Sequence, residues 1–135
     1  MSKENVDDLG NFIETKECEI SKEFLNAYEL SNFIEGIIEA TSQDICEEPL
    51  QLFLRSTNKT MYKRGNCFLE LSSDKSGVRI YFISPNAVKM LEFSVLLKDE
   101  QWLIKDEKKD KEYSLLTTGE IDNLTMRFLN FAKSY

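Results

Sequence analysis

The chain has 135 residues, 41% of them hydrophobic and 30% charged, with a formal net charge of −7. That size and balance describe one folded domain able to bury a core without disulfides or a structural metal, and they exclude a disordered or fibrous chain. No run approaches the roughly 18 apolar residues of a membrane span, and the polar start Met1-Ser2-Lys3-Glu4-Asn5 lacks a secretory signal, so a cytoplasmic protein is expected.

The charge is laid out unevenly. Residues 1–50 hold 13 acidic and 3 basic groups, a balance of −10, whereas residues 51–135 hold 11 acidic and 14 basic, a balance of +3. A strongly acidic segment repels phosphate, so no nucleic-acid partner is expected. It suits instead another protein with a basic surface. The three cysteines, Cys18, Cys46 and Cys67, are odd in number and lack paired spacing, which predicts free thiols.

Taken in order, residues 1–20 are expected to form a flexible acidic tail, with the domain spanning 21–135. From Ser21, a possible N-cap, an amphipathic helix is expected: Leu30, Phe33, Ile34, Ile37 and Ile38 fall at helical spacing on one stripe. Ser31-Asn32 offers a possible break, and the helix should end by Thr41-Ser42. Glu35 and Glu39 fall on or near its solvent side, and Asp44, Glu47 and Glu48 follow in a loop closed by Pro49.

Beyond Pro49 the period changes to two. Leu50, Leu52 and Leu54 predict a short strand, and Arg55 to Gly65 a polar, basic connection. Cys67-Leu69-Leu71 and Val78-Ile80-Phe82 flank the turn signal Ser72 to Gly77 and read as a hairpin. Leu91-Phe93-Val95-Leu97 and Trp102-Ile104 form a second, joined by Lys98-Asp99-Glu100-Gln101. A charge run from Lys105 to Glu112 precedes a last short strand at Tyr113 and Leu115. Thr117 and Glu120 have capping-box spacing and open a C-terminal helix buried through Ile121, Leu124, Phe128, Leu129, Ala132 and Tyr135. The fold class is therefore α+β: a helix, a mainly antiparallel sheet of five or six strands, and a second helix packed on the sheet. Phe53, Phe68, Tyr81, Ile83, Leu96 and Leu103 lie opposite the core stripes. Either the helices cover that face as well, or it is a partner or dimer surface.

The chain contains no histidine, which removes the commonest general base and metal ligand and every Ser-His or Cys-His pair. No phosphate-binding glycine loop is present either. Carboxylates remain. Glu70 and Glu92 sit mid-strand, where alternation turns both toward solvent. Asp44, Glu47 and Glu48 share one loop, but their spacing matches no EF-hand. No catalytic residue, metal site or cofactor is expected. Arg55, Lys59, Lys63 and Arg64, with Tyr62 and Phe68 nearby, form a weak basic patch that could meet the acidic region of a second copy in a homodimer.

In size, acidity and lack of catalytic residues, the chain resembles bacterial immunity proteins, which neutralise a toxin, and small phage inhibitors of host defence. The resemblance is one of type and rests on no motif. It implies a stoichiometric inhibitor whose partner-binding surface is built from Glu35, Glu39, Asp44, Glu47 and Glu48. A dimeric secretion chaperone is the alternative, and a small-ligand binder or carboxylate enzyme a third.

Overall fold

The computed structural model describes residues 20, 24, 26–109 and 113–135. The acidic tail expected before Ile20, Cys18, and the helix cap expected at Ser21 lie outside the described residues. Helix α1 spans Ala27–Ile45 and is capped by Asn26. The Asn26 side-chain oxygen accepts from the Glu29 backbone N–H at 2.9 Å, and its amide donates to the Glu29 carboxylate at 3.2 Å. This exchange satisfies a donor that the helix start would otherwise leave open. The helix continues unbroken through Ser31-Asn32 and runs past the expected stop at Ser42, whose hydroxyl bonds the Glu39 carbonyl inside the helix at 3.0 Å.

Seven strands follow in one sheet: β1 Gln51–Arg55, β2 Lys59–Arg64, β3 Cys67–Ser73, β4 Gly77–Ile83, β5 Met90–Lys98, β6 Gln101–Asp106 and β7 Ser114–Leu115. Their spatial order is their chain order, and every neighbouring pair is antiparallel. The chain then ends in helix α2, Thr118–Lys133, whose cap Thr117 accepts from the Glu120 N–H at 3.1 Å, as the capping-box spacing predicts. The architecture is α+β, as expected, with more strands than the expected five or six.

The extra strand is β2, placed where a polar connection was expected. Thr60 and Tyr62 alternate with Lys59, Met61 and Lys63, and both turn inward. Three cations in six residues mask that alternation, because the only inward residues between Arg55 and Gly65 carry hydroxyls. Ring and aliphatic carbon bury well once the hydroxyl has a partner.

Both helices pack on one face of the sheet. Leu30, Ile34 and Ile38 of α1 and Ile121, Leu124 and Phe128 of α2 meet Leu69, Leu71, Ile80, Phe82 and Phe93 in a single core. Phe82 stands at its aromatic centre, 5.1 Å from Phe93 and 5.3 Å from Phe128 between ring centroids. Ile20 joins this core, and its N–H donates to the Leu116 carbonyl at 3.0 Å. Cys67 is a buried free thiol, and burial raises its pKa; Cys46 is also free.

The opposite face is not covered by either helix. There Phe53 and Phe68 stack edge to face at 5.0 Å, and Tyr81, Ile83, Leu96 and Leu103 are half-buried. The register breaks between Leu52 and Leu54, a bulge on the sheet's outermost strand. Bulges twist an edge away from further pairing.

Two glycines make opposite demands. A Cβ on Gly77 would lie 1.9 Å from the Val95 carbonyl oxygen, whereas one on Gly36, in the middle of α1, would meet nothing within 4 Å. Gly36→Ala should therefore stabilise the protein by roughly 0.5–1 kcal/mol through helix propensity. Gly77→Ala should destabilise it by at least about 1–3 kcal/mol through overpacking. Thermal denaturation of the two variants checks both signs.

Candidate functional site

The acidic groups of α1 and its following loop divide into two sets. Glu35 lies one turn beyond Ser31, at the flank of the core stripe, and the helix carries it toward β1 and β2. It is only 6% exposed. Its Oε1 accepts from Arg55 Nη2 at 3.0 Å and its Oε2 from Thr60 Oγ1 at 2.8 Å, with Ser31 Oγ at 3.5 Å. Glu39, one turn on, accepts from Tyr62 Oη at 2.8 Å and from the same Arg55 Nη2 at 3.4 Å. One guanidinium thus serves two carboxylates.

The register explains the convergence. Arg55 sits directly across from Thr60, and Tyr62 is two residues further along the same inward face of β2. A carboxylate buried without such partners is strongly unfavourable. Burial, reinforced by the hydrogen bond to Glu39, pushes the pKa of the Tyr62 hydroxyl well above its ordinary value, so it remains a donor. Glu35 and Glu39 were expected on or near the solvent side. Their partners, Arg55 at the end of β1 and Thr60 and Tyr62 of β2, bury Glu35 against the sheet, while Glu39 stays half-exposed near the solvent side.

Asp44, Glu47 and Glu48 are exposed, at the end of α1 and just beyond it. Among the described residues none of the three is ion-paired. The C-terminal end of a helix carries partial negative charge, and α1 has no basic residue in its last turn. A carboxylate there is unfavourable by about 0.3–1 kcal/mol. The neighbouring Arg64 guanidinium donates to the Glu48 backbone carbonyl, leaving the carboxylate itself outward. Among the described residues no three Cys, Asp or Glu side chains converge as a metal ion requires.

The basic stretch does not form one patch. Arg55 turns inward to Glu35, Lys59 pairs with Glu70 at 3.8 Å, and Lys63 and Arg64 line a hollow of about 440 Å³ with Glu47 and Glu48. Glu70 and Glu92 share the outer face but flank Tyr81 across β4, and Arg79 holds Glu92 at 2.9 Å. They do not form a carboxylate pair.

The sequence did not point to a second feature, a groove on the solvent side of the two helices. Its apolar lining is Phe33, Gly36, Ile37, Ala40 and Ile45 of α1 and Met126 of α2, its polar lining Asn32, Thr41, Asp44 and Asp122, and it has a volume of about 810 Å³. Thr41 donates to Asp122 across the helix pair. Phe33 and Ile37 carry the periodic signal of a core stripe; their place beside a glycine is what distinguishes them.

Comparison of the chain with protein-family models, curated proteins and solved structures gives no match.

The two carboxylate sets should respond differently to substitution. Glu35→Ala leaves the Thr60 hydroxyl buried without its acceptor and should cost about 1–3 kcal/mol in urea denaturation. Joint Glu47→Lys and Glu48→Lys should change stability by no more than roughly 0.5 kcal/mol. Tyr62 adds a pH signature. Its folded pKa lies above the unfolded 10.0, so its contribution is complete below pH 10 and is lost as pH rises beyond it. Tyr62→Phe should flatten that alkaline loss of stability, measured as urea midpoints between pH 8 and pH 11.

Proposed function

We propose that this chain is a non-catalytic cytoplasmic binding protein that masks a basic surface on another protein, in the manner of an immunity protein or a small inhibitor of a defence protein. Asp44, Glu47 and Glu48 carry this reading. They are exposed and unpaired among the described residues, and they stand at the negative end of a helix that Arg55 clamps to the sheet. The helix end disfavours a carboxylate such as that of Asp44, whereas a basic partner gains a fixed array of carboxylates. Glu35 and Glu39 support the surface from beneath by holding the helix. Neither nucleic acid nor membrane is part of the proposal: phosphate would be repelled, and no helix among the described residues is long and apolar enough to cross a bilayer.

A dimeric secretion chaperone is the second reading, favoured by the exposed Leu52, Phe53 and Leu54 of β1 and the Phe53–Phe68 pair on the open sheet face. The bulge in β1 weighs against edge pairing. A dimer on size-exclusion chromatography that Phe53→Lys dissociates would favour the chaperone over the inhibitor.

The principal test begins with a pull-down from the native cell to identify the partner. The triple variant Asp44→Lys, Glu47→Lys, Glu48→Lys should then slow association at low salt by about tenfold or more and flatten its dependence on ionic strength. Unchanged association kinetics would overturn the acidic-surface reading.

A further inference from the structure

Helix α1 presents two apolar faces. Leu30, Ile34 and Ile38 bury one in the core, while Phe33, whose ring also meets Phe24 at 4.8 Å, Ile37, which packs partly against the core, and Ala40 line the groove shared with Met126 of α2. Phe33 is 36% and Met126 41% exposed. Between Phe33 and Ala40 the groove is lined by the exposed backbone of Gly36. Glycine in a helix interior is unfavourable relative to alanine. At Gly36 the backbone stays within the α1 helix, and a Cβ would meet open space, so nothing in the fold requires it. The missing side chain leaves open space above the backbone there, and the distance at which helices pack depends on the side chains at their contact.

The charge at the rim selects the occupant. Asp44 and Asp122, the latter also accepting from Thr41, are among the groove's lining residues, Glu47 and Glu48 follow just after Asp44 in the chain, and no Lys or Arg lines it. Residues 32–45 of α1 extend about 20 Å, or three to four helical turns. We infer that this groove receives an amphipathic helix of the partner protein, its apolar seam over Gly36 and Ala40 and its Lys or Arg side chains against the acidic rim. The inference rests on the basic-partner reading above and deepens it by specifying the recognised element. The chain's own residues 1–19 are a poorer occupant, with six carboxylates against Lys3 and Lys16. Recognition of this kind places small apolar anchors at helical spacing in a groove and lets rim charges set orientation.

The test uses the full chain and a synthetic peptide of about 16 residues, long enough for four turns, with leucine and alanine on one helical face and lysine on the flanks. A scrambled peptide of the same composition is the control. In ¹⁵N–¹H correlation spectra the patterned peptide should shift the amides of Phe33, Gly36, Ala40 and Met126 saturably. The scrambled peptide should disturb only the Asp44–Glu48 segment. Gly36→Leu, which fills that open space without altering charge, should weaken the patterned peptide at least tenfold, and Met126→Arg should do the same; undisturbed spectral dispersion away from the groove shows that each variant is folded. The inference is overturned if the patterned peptide leaves the groove amides unmoved, if both peptides shift the same amides, or if Gly36→Leu binds as tightly as the parent. It is also overturned if the peptide binds only after removal of residues 1–19, or if the groove amides shift with the protein's own concentration, since the occupant is then internal or a second copy. Failure of the charge-reversal kinetics above would sink the basic-partner reading, whereas failure of the peptide with those kinetics intact would sink the groove alone.

Discussion

The carboxylate of Glu35 can lie beneath α1 only because Arg55 and Thr60 reach it from two adjacent strands. It is the one charged side chain among the described residues that is buried, and a buried charge tolerates only the geometry that pairs it. That requirement sets the azimuth of the helix. With Glu35 turned to β1 and β2, the stripe Leu30–Ile34–Ile38 faces the sheet, Ile37 packs at the margin of the core, Phe33 borders the groove beside α2, and Asp44 stands at the surface at the helix end. The apolar core supplies most of the stabilisation; the ion pair supplies direction.

This division explains what the sequence made legible. The strands β3, β4, β5 and β6 and the cap of α2 follow from local periodicity, which depends on neighbours two to four residues away. β2 escaped because its inward residues are Thr60 and Tyr62, polar by type and buried only through partners on α1. Glu35 escaped for the same reason: the partners that bury it stand 20 and 25 residues further along the chain. The groove is a relation between Phe33 and Met126, on helices at opposite ends of the described chain, and no local pattern encodes it. Of the five residues expected to bind a partner, Asp44, Glu47 and Glu48 stand free at the surface, Glu39 is half-exposed while bonded to Arg55 and Tyr62, and Glu35 is buried against the sheet.

The acidic surface and the apolar groove are contiguous, and Asp44 belongs to both. That adjacency matters for recognition, because charge acts at a distance and brings partners together, while apolar contact acts only after water leaves. On the proposed reading, a partner element with both characters would be drawn first by the carboxylates and held afterwards by the groove, so that encounter and retention would rest on different residues of one surface.

The sheet is a strict meander, each strand pairing with the one just before it in the chain. Every strand contact is therefore made across a short connection. The long closures are made by the helical layer: the Thr41–Asp122 hydrogen bond joins the two helices across 81 residues. Its closure entropy is compensated only when the whole sheet between them is in place. A nascent or partly unfolded chain can thus carry intact hairpins and still have no groove. Under the proposed function, competence to bind would be tied to complete folding, and a partner reading this surface would also discriminate finished molecules from unfinished ones.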